Sequence, residues 1–108
     1  MAKDQLPEPI RTRIETLLAS RPTLLFMKGI RVMPQCGFSA RVVQVLDGMG
    51  ADYGTVNILS DAELREALKV YADWPTFPQL YHKGELLGGC DIVVDMAAKG
   101  ELAPALAR

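Results

Sequence analysis

The N-terminal quarter of the chain shows two hydrophobic patterns in succession, one helical and one extended. Apolar residues recur at helical spacing behind a proline-rich start: Pro7, Pro9, Ile10, Ile14, Leu17 and Leu18. This pattern predicts a helix over about 8–20 that ends near Arg21-Pro22, because a residue before proline disfavours the helical conformation. The next five residues, 23–27, are short and continuously apolar, which is typical of a buried strand.

The middle of the chain predicts a loop, a helix, a strand and a second helix. A loop punctuated by glycine and proline covers 28–35, and an apolar helical pattern runs from about Cys36 or Gly37 to Met49. Residues 53–58 are typical of a strand. Ser60 followed by Glu63 forms a capping-box pattern, which predicts a helix over roughly 61–72 with Ser60 as its N-cap.

The C-terminal part begins with Trp74-Pro75-Thr76-Phe77-Pro78, whose two prolines exclude a helix. Residues 79–82 and 85–87 predict a hairpin that turns at Lys83-Gly84. After the break at Gly88-Gly89, Asp91 can start a helix of about 91–99 that Gly100 ends. The side chains predicted to face inward from this helix are Ile92, Val93, Met96 and Ala97, and 101–107 predicts a last short turn or helix.

Strands that alternate with helices and close with a hairpin indicate an α/β fold. The predicted order is α-β-α-β-α-β-β-α, with a mixed four-stranded sheet flanked by helices. The length of 108 residues fits one domain, 1–108, with enough buried surface for a core without disulfides or metals.

Composition excludes several classes of protein. The net charge is −1, which gives no indication of nucleic-acid or membrane binding, and no apolar run approaches the roughly 18 residues of a membrane span. Two cysteines are too few for a secreted disulfide scaffold, and the N-terminus lacks the shape of a signal peptide. We therefore expect a reducing compartment, the cytoplasm, or a matrix-like space if a transit peptide has been removed.

Cys36 is the residue with the clearest candidate chemistry. It lies between the first strand and a helix, where free backbone N–H groups and the helix dipole stabilise a thiolate. In a C-x-x-C redox motif a second thiol would follow three positions later, but Ser39 stands there. A functional Cys36 must therefore work with an outside thiol or bind a metal. The alternative is a buried structural cysteine. His82, the only histidine, is expected to be an ordinary surface residue rather than a ligand.

Four motifs in order closely resemble the monothiol, CGFS-type glutaredoxins, and the resemblance extends from the first helix to about Gly100. They are Phe26-Met27-Lys28-Gly29, Pro34-Gln35-Cys36-Gly37-Phe38-Ser39, Trp74-Pro75-Thr76-Phe77-Pro78-Gln79 and Gly84-Glu85-Leu86-Leu87-Gly88-Gly89-Cys90-Asp91-Ile92. The resemblance implies a thioredoxin-like fold in its short single-domain form, glutathione binding, and a homodimer that bridges a 2Fe-2S cluster. It also implies a carrier or storage role with a BolA-like partner and apo iron–sulfur proteins.

The same resemblance implies a role for individual residues. Cys36 would be the cluster ligand and reactive thiol, Lys28 and Arg65 would face the glycine carboxylate of glutathione, and a cis Phe77-Pro78 bond would present backbone groups to its centre. The residues implied to contact glutathione are Lys28, Cys36, Gly37, Phe38, Arg65, Thr76, Phe77, Pro78, Gly89, Cys90 and Asp91.

Each role has a plainer alternative. Lys28 could be a solvated lysine, and Arg65 with Lys69 could form a charged outer face. Asp91 could be an N-cap, and Cys90 a small residue whose backbone alone touches the ligand. Trp74 could serve packing only.

Three classes of function are compatible with these motifs. The first is a glutathione-ligated 2Fe-2S cluster carrier. The second is an enzyme, a glutathione-dependent thiol-disulfide oxidoreductase that uses Cys36 as nucleophile and has at most weak activity. The third is an adaptor that binds a BolA-like partner without moving clusters. The loop from Gly29 to Pro34 separates the first two, because it lengthens the connection before the thiol and would alter how glutathione sits against Cys36.

Overall fold

The computed structural model of the protein describes residues 3–108. The helices are α1 (Glu8–Ser20), α2 (Gly37–Gly48), α3 (Ala62–Ala72), α4 (Cys90–Ala98) and α5 (Leu102–Ala107). The strands are β1 (Thr23–Met27), β2 (Gly29–Ile30), β3 (Met33–Pro34), β4 (Gly54–Asn57), β5 (Gln79–His82) and β6 (Glu85–Gly88). Single 3₁₀ turns cover Lys3–Gln5 and Ile58–Ser60. Over this part of the chain, no helix is long and apolar enough to cross a membrane.

Four strands form one mixed sheet in the order β4-β1-β5-β6. Strand β4 is parallel to β1, whereas β5 is antiparallel to β1 and β6 is antiparallel to β5. The predicted α/β fold with a mixed four-stranded sheet is therefore confirmed. Because β1 lies between two strands and under helices on both faces, all five of its residues are buried, as its continuous apolar sequence predicted.

The alternation of side chains along β1 divides the core into two layers. Leu24 and Phe26 pack with residues of α1 and α3, and the Phe26 ring meets Tyr81 edge-on at 5.4 Å between centroids. Leu25 and Met27 face the other way and pack with residues of α2, α4 and α5. Helix α2, which carries the candidate thiol at its start, is thus fixed against the sheet by a buried apolar face.

The predicted loop over 28–35 contains a structure that periodicity did not reveal. Strands β2 and β3 form a separate two-stranded hairpin in which Gly29 pairs with Pro34 and Ile30 with Met33. Two-residue strands are too short to produce an alternating pattern, so the sequence offered no signal for them. This β2–β3 hairpin connects the first strand of the sheet to Cys36.

The start of α3 was predicted wrongly. The N-cap is Asp61, whose side chain accepts a hydrogen bond from the Leu64 N–H at 3.0 Å. Ser60 belongs to the preceding 3₁₀ turn, where its hydroxyl donates to the Asn57 carbonyl at 2.9 Å. Both residues are good N-caps, and the local turn after β4 decides between them.

Other element boundaries differ by one or two residues. Helix α2 ends at Gly48 with Met49 as its C-cap, and β4 is shorter than predicted because Ile58 enters the 3₁₀ turn. Helix α4 begins at Cys90, one residue before the predicted start, with Gly89 as its N-cap. Ile92 was predicted to face inward but is 39% exposed.

His82 is buried, contrary to the expectation of a surface residue. It is 8% exposed at the end of β5, and its Nδ1 lies 2.8 Å from the Thr23 hydroxyl oxygen. Its Nε2 lies 2.8 Å from the Arg108 carbonyl oxygen, which can only accept, so Nε2 is the donor there. The ring therefore links the sheet to the end of the chain.

Candidate functional site

Cys36 is the N-cap of α2, with extended backbone angles of φ −147° and ψ 136°. The carbonyl of Cys36 accepts the first helical hydrogen bond, from the Ala40 N–H at 2.9 Å. The thiol lies beside the backbone N–H groups of the first turn, which have no partner within the helix. The predicted position of the thiol at a helix start is confirmed.

The surroundings of Cys36 lower the pKa of its thiol. The largest cause is hydrogen bonding from the Ser39 backbone N–H, supported by the Phe38 backbone, the Lys28 charge and the Ser39 hydroxyl, while partial burial opposes the shift. Each of these groups stabilises the charged form. The thiol is therefore biased toward the nucleophilic and metal-binding thiolate.

Ser39 occupies the position of the missing second thiol and has a structural contact of its own. It is fully buried at 0% exposure, and its hydroxyl oxygen accepts a hydrogen bond from the Lys28 N–H at 3.0 Å. The residue after β1 is thereby attached to the first turn of α2. This contact brings Lys28 close to Cys36.

A groove of about 570 Å³ opens beside Cys36 and brings nearly all the predicted contact residues together. Its walls include ten of the eleven: Lys28, Cys36, Phe38, Arg65, Thr76, Phe77, Pro78, Gly89, Cys90 and Asp91. Gly37 instead lines a neighbouring groove of about 680 Å³, which shares Cys36 with the first. Lys69, Trp74, Pro75 and Ile92 also line the first groove. Lys69 follows Arg65 by one helical turn, which is the sequence signal for its presence on the same face.

One wall of the groove is basic. Lys28, Arg65 and Lys69 line it, and two of them contact the same carboxylate. Glu66 Oε2 lies 3.1 Å from Lys69 Nζ and 3.6 Å from Arg65 Nε. Since Glu66 is exposed, a ligand carboxylate entering this end of the groove would compete with it for the two cations.

The groove is also lined by a loop that a buried glutamine holds. Gln79, at 0% exposure, donates from Nε2 to the Trp74 and Thr76 carbonyls at 3.2 Å each. Its Oε1 accepts from the Tyr81 hydroxyl at 2.9 Å. These contacts fix the loop that contains the cis Phe77-Pro78 bond, as the resemblance implied. Sequence reasoning quoted Gln79 in the motif but missed this anchoring role.

Gly89 lies where two loops come into close contact. A Cβ atom at this position would stand 3.2 Å from the Pro78 carbonyl oxygen and 3.4 Å from Trp74 Nε1. Trp74 Nε1 is buried and has no hydrogen-bond partner among the described residues. The absence of a side chain at Gly89 therefore lets the loop before α4 rest on Trp74 and Pro78.

Cys90 and Asp91 form the first residues of α4. Burial, followed by the Asp91 charge, raises the pKa of the Cys90 thiol, which makes it less reactive than Cys36. Both cysteines are free. Asp91 lies in the first turn of the helix, so it is not the N-cap considered from the sequence, and its exposed carboxylate lines both grooves.

Residues 3–108 contain no cluster of three or more histidine, cysteine or acidic side chains that could hold a metal ion. Any thiolate-ligated metal group at Cys36 would need further ligands from outside the chain.

The mixed sheet flanked by helices, with a thiol at a strand-to-helix junction and a cis-proline loop across a groove, defines a thioredoxin-like protein. The family model described as Glutaredoxin matches residues 23–87. The chain belongs to the glutaredoxin family, and its relatives place it among the monothiol glutaredoxins.

Similar proteins occur in bacteria and plants. The chain is 53% identical over 89 residues to "Probable monothiol glutaredoxin 2" of Rickettsia conorii. This match covers 82% of this chain and 83% of that protein. The structure of reduced apo GrxS14 from poplar has a TM-score of 0.81 and 46% identity, and the match covers 93% of each chain. The buckwheat glutaredoxin–glutathione complex has a TM-score of 0.78 and 26% identity, with 94% of each chain covered. The chain spans only about a fifth of the length of the longer plant relatives it also matches.

Proposed function

We propose that this chain is a carrier of 2Fe-2S clusters, and that the cluster is held between two copies with glutathione as co-ligand. The observation that carries the proposal is a thiolate-stabilising helix start whose four-residue turn holds one thiol, with the buried Ser39 in the place of a second. A lone, accessible thiolate is suited to ligate a metal shared with another molecule rather than to close an internal disulfide.

The number of sulfur ligands explains the proposed stoichiometry. A 2Fe-2S cluster of the common type takes four thiolates. Cys36 supplies one per chain, so two chains and two glutathione molecules supply four. Cys90 is not proposed as a ligand, because burial raises the pKa of its thiol.

The charges along the groove support glutathione as the co-ligand. We propose that Lys28 and Arg65 bind the glycine carboxylate, since guanidinium and ammonium groups form charge-assisted hydrogen bonds with carboxylates. The Phe77 backbone would pair with the cysteinyl unit, and the start of α4 at Cys90-Asp91 would hold the γ-glutamyl end. Glutathione binding by the buckwheat relative, as described by its name, is consistent with this arrangement.

The wider role is part of the same proposal. The partners would be a BolA-like protein and apo iron–sulfur proteins that receive the cluster, and the work would take place in the cytoplasm. The 108 residues would act as one glutaredoxin domain.

A second candidate is a glutathione-dependent oxidoreductase, and the lowered pKa of Cys36 favours it. The Cys36 thiolate would attack the glutathione sulfur of a mixed disulfide and release the substrate thiolate. A second glutathione would then attack the Cys36–glutathione disulfide, which returns the Cys36 thiolate and releases glutathione disulfide. This cycle needs a single enzyme thiol, so Ser39 does not exclude it.

Anaerobic reconstitution with iron, sulfide and glutathione, followed by absorbance and size-exclusion measurements, tests the carrier function. The native chain should become coloured and run as a dimer that contains glutathione. Cys36→Ser should abolish the visible absorbance, whereas the matched variant Cys90→Ser should largely keep it. Equal loss in both variants would contradict the assignment of Cys36. A colourless native chain with ready glutathione-dependent turnover would favour the oxidoreductase.

A further inference from the structure

The β2–β3 hairpin carries a residue whose contacts the proposed function does not use. Arg31, in the turn of this hairpin, donates to Asp47 Oδ1 from Nε at 3.1 Å and from Nη2 at 2.6 Å. The Tyr53 hydroxyl donates to the same oxygen at 2.8 Å. The Arg31 guanidinium also stacks over the Tyr53 ring, 4.2 Å from its centroid. We call Arg31, Asp47 and Tyr53 the Arg31 clamp.

The hairpin lacks the apolar burial that usually holds such an element against a protein. Its apolar side chains are largely exposed: Ile30 at 52%, Val32 at 88% and Met33 at 63%. Because these residues remove little apolar surface from water, they contribute little to fixing the turn of the hairpin. The Arg31 clamp is the polar contact that attaches this turn to buried Tyr53, which is 2% exposed, and to the end of α2.

Both ends of the hairpin are attached to the same two elements. At its base, the Lys28 N–H donates to Ser39 in α2 at 3.0 Å, and the Gly29 N–H donates to the Asn57 side chain in β4 at 2.9 Å. At its turn, Arg31 reaches α2 through Asp47, and reaches Tyr53 just before β4. A hairpin held only at its base could pivot, whereas attachment at both ends fixes its path.

The β2–β3 hairpin is flanked on both sides by residues that line the groove. Lys28 precedes the hairpin and Cys36 follows it, and both line the groove proposed for glutathione. The Gln35 N–H also donates to the Lys28 carbonyl at 2.9 Å, so a movement of the hairpin would be transmitted to both groove residues.

We propose that Arg31 is a positioning residue, which holds the hairpin so that Lys28 and Cys36 stay in the arrangement that binds glutathione. This proposal rests on the proposed glutathione site. If the binding-competent arrangement is populated less often, the apparent affinity falls by the same factor. The effect reaches glutathione through Lys28 and Cys36, without contact between Arg31 and the ligand.

The test is a titration of the apo protein with reduced glutathione, followed by fluorescence of Trp74, the single tryptophan, which lines the groove. Arg31→Ala and Asp47→Ala should each weaken glutathione binding about threefold to tenfold, and the double variant should be no weaker than either single variant. Arg31→Lys, which keeps one charged contact, should fall between Arg31→Ala and the native chain.

The matched control is Arg21→Ala. Arg21 forms an exposed ion pair with Asp52 at 2.5 Å and has the same 42% side-chain exposure as Arg31, but its hydrogen bond goes to Asp52 rather than to Asp47 of the clamp. Its removal should leave the glutathione affinity unchanged. Hydrogen exchange provides a second readout, because the Gly29 and Gln35 amides should exchange faster in Arg31→Ala and not in Arg21→Ala.

The outcomes separate the two proposals. If the native chain binds glutathione and Arg31→Ala binds it equally well, the positioning role is refuted and the glutathione site stands, even if Arg31→Ala is less stable to urea. If the native chain shows no saturable binding, the glutathione site and the role of Arg31 are both refuted.

Discussion

Gly29→Ala is the substitution for which the structure predicts the clearest effect. Gly29 has φ +94°, where an L residue is strained by about 1–2 kcal/mol. A Cβ atom there would stand 2.6 Å from the Gln35 backbone nitrogen and 2.8 Å from the Met33 carbonyl oxygen. Both are backbone atoms, since Met33 lies in β3 and Gln35 directly follows it, so neither can move away without disturbing the β2–β3 pairing.

The expected destabilisation follows from three contributions. Overpacking of this kind costs about 1–3 kcal/mol. Alanine also restricts the unfolded chain, which offsets about 0.4–1 kcal/mol. The free energy of unfolding should therefore fall by about 1–4.5 kcal/mol. The displaced hairpin should also lower glutathione-dependent cluster loading, because Lys28 and Cys36 lie at its two ends.

Gly50→Ala is the matched control. Gly50 also has a positive φ, +68°, but no atom lies within 4 Å of its would-be Cβ. It should lose only the backbone strain, for a net change of about 0–1.5 kcal/mol. Urea unfolding followed by tryptophan fluorescence measures both variants. Equal losses of stability, within about 0.5 kcal/mol, would refute the predicted backbone clash.

Three further predictions concern the groove. Iodoacetamide alkylation of each cysteine can be followed by mass spectrometry as a function of pH. Its rate should reach half its maximum at a lower pH for Cys36 than for an ordinary thiol, because the pKa of Cys36 is lowered, and at a higher pH for Cys90, because the pKa of Cys90 is raised. A common midpoint for the two cysteines would contradict this prediction. Arg65→Ala should weaken glutathione binding about tenfold, or about 1.4 kcal/mol, which is near the low end of the free energies of charge-assisted hydrogen bonds because the contact is partly exposed. Glu66→Gln should strengthen glutathione binding, because it removes the competing carboxylate. No change in either variant would place the ligand carboxylate elsewhere. Ser39→Cys should raise reduction of protein disulfides in a glutathione-coupled assay by restoring a resolving thiol, and native turnover equal to that of a dithiol glutaredoxin would instead favour the enzyme function.

Much of the fold could be predicted because its signals are local. The continuous apolar run of β1, the helical spacing in α1 and the glycine and proline punctuation each act over a few residues. The same is true of the thiol, since a cysteine between a strand and a helix lies at a helix N-terminus wherever the fold places that helix. The set of groove residues depended on the resemblance to the family, because no spacing rule connects Lys28 with Arg65.

The tertiary structure decided which residues that are far apart in the sequence make contact. His82, for example, is buried against Thr23 and Arg108, which lie 59 and 26 positions away. Arg31 and Asp47 are 16 positions apart, and the exposed hairpin gave no periodic signal that would pair them. Hydrophobic periodicity determines which face of an element is buried, but it does not determine which polar groups meet. The sequence by itself therefore determined the thiol, the order of the main elements along the chain and the family, whereas the folded chain decided the order of the strands in the sheet and which side chains hold the thiol and its groove in place.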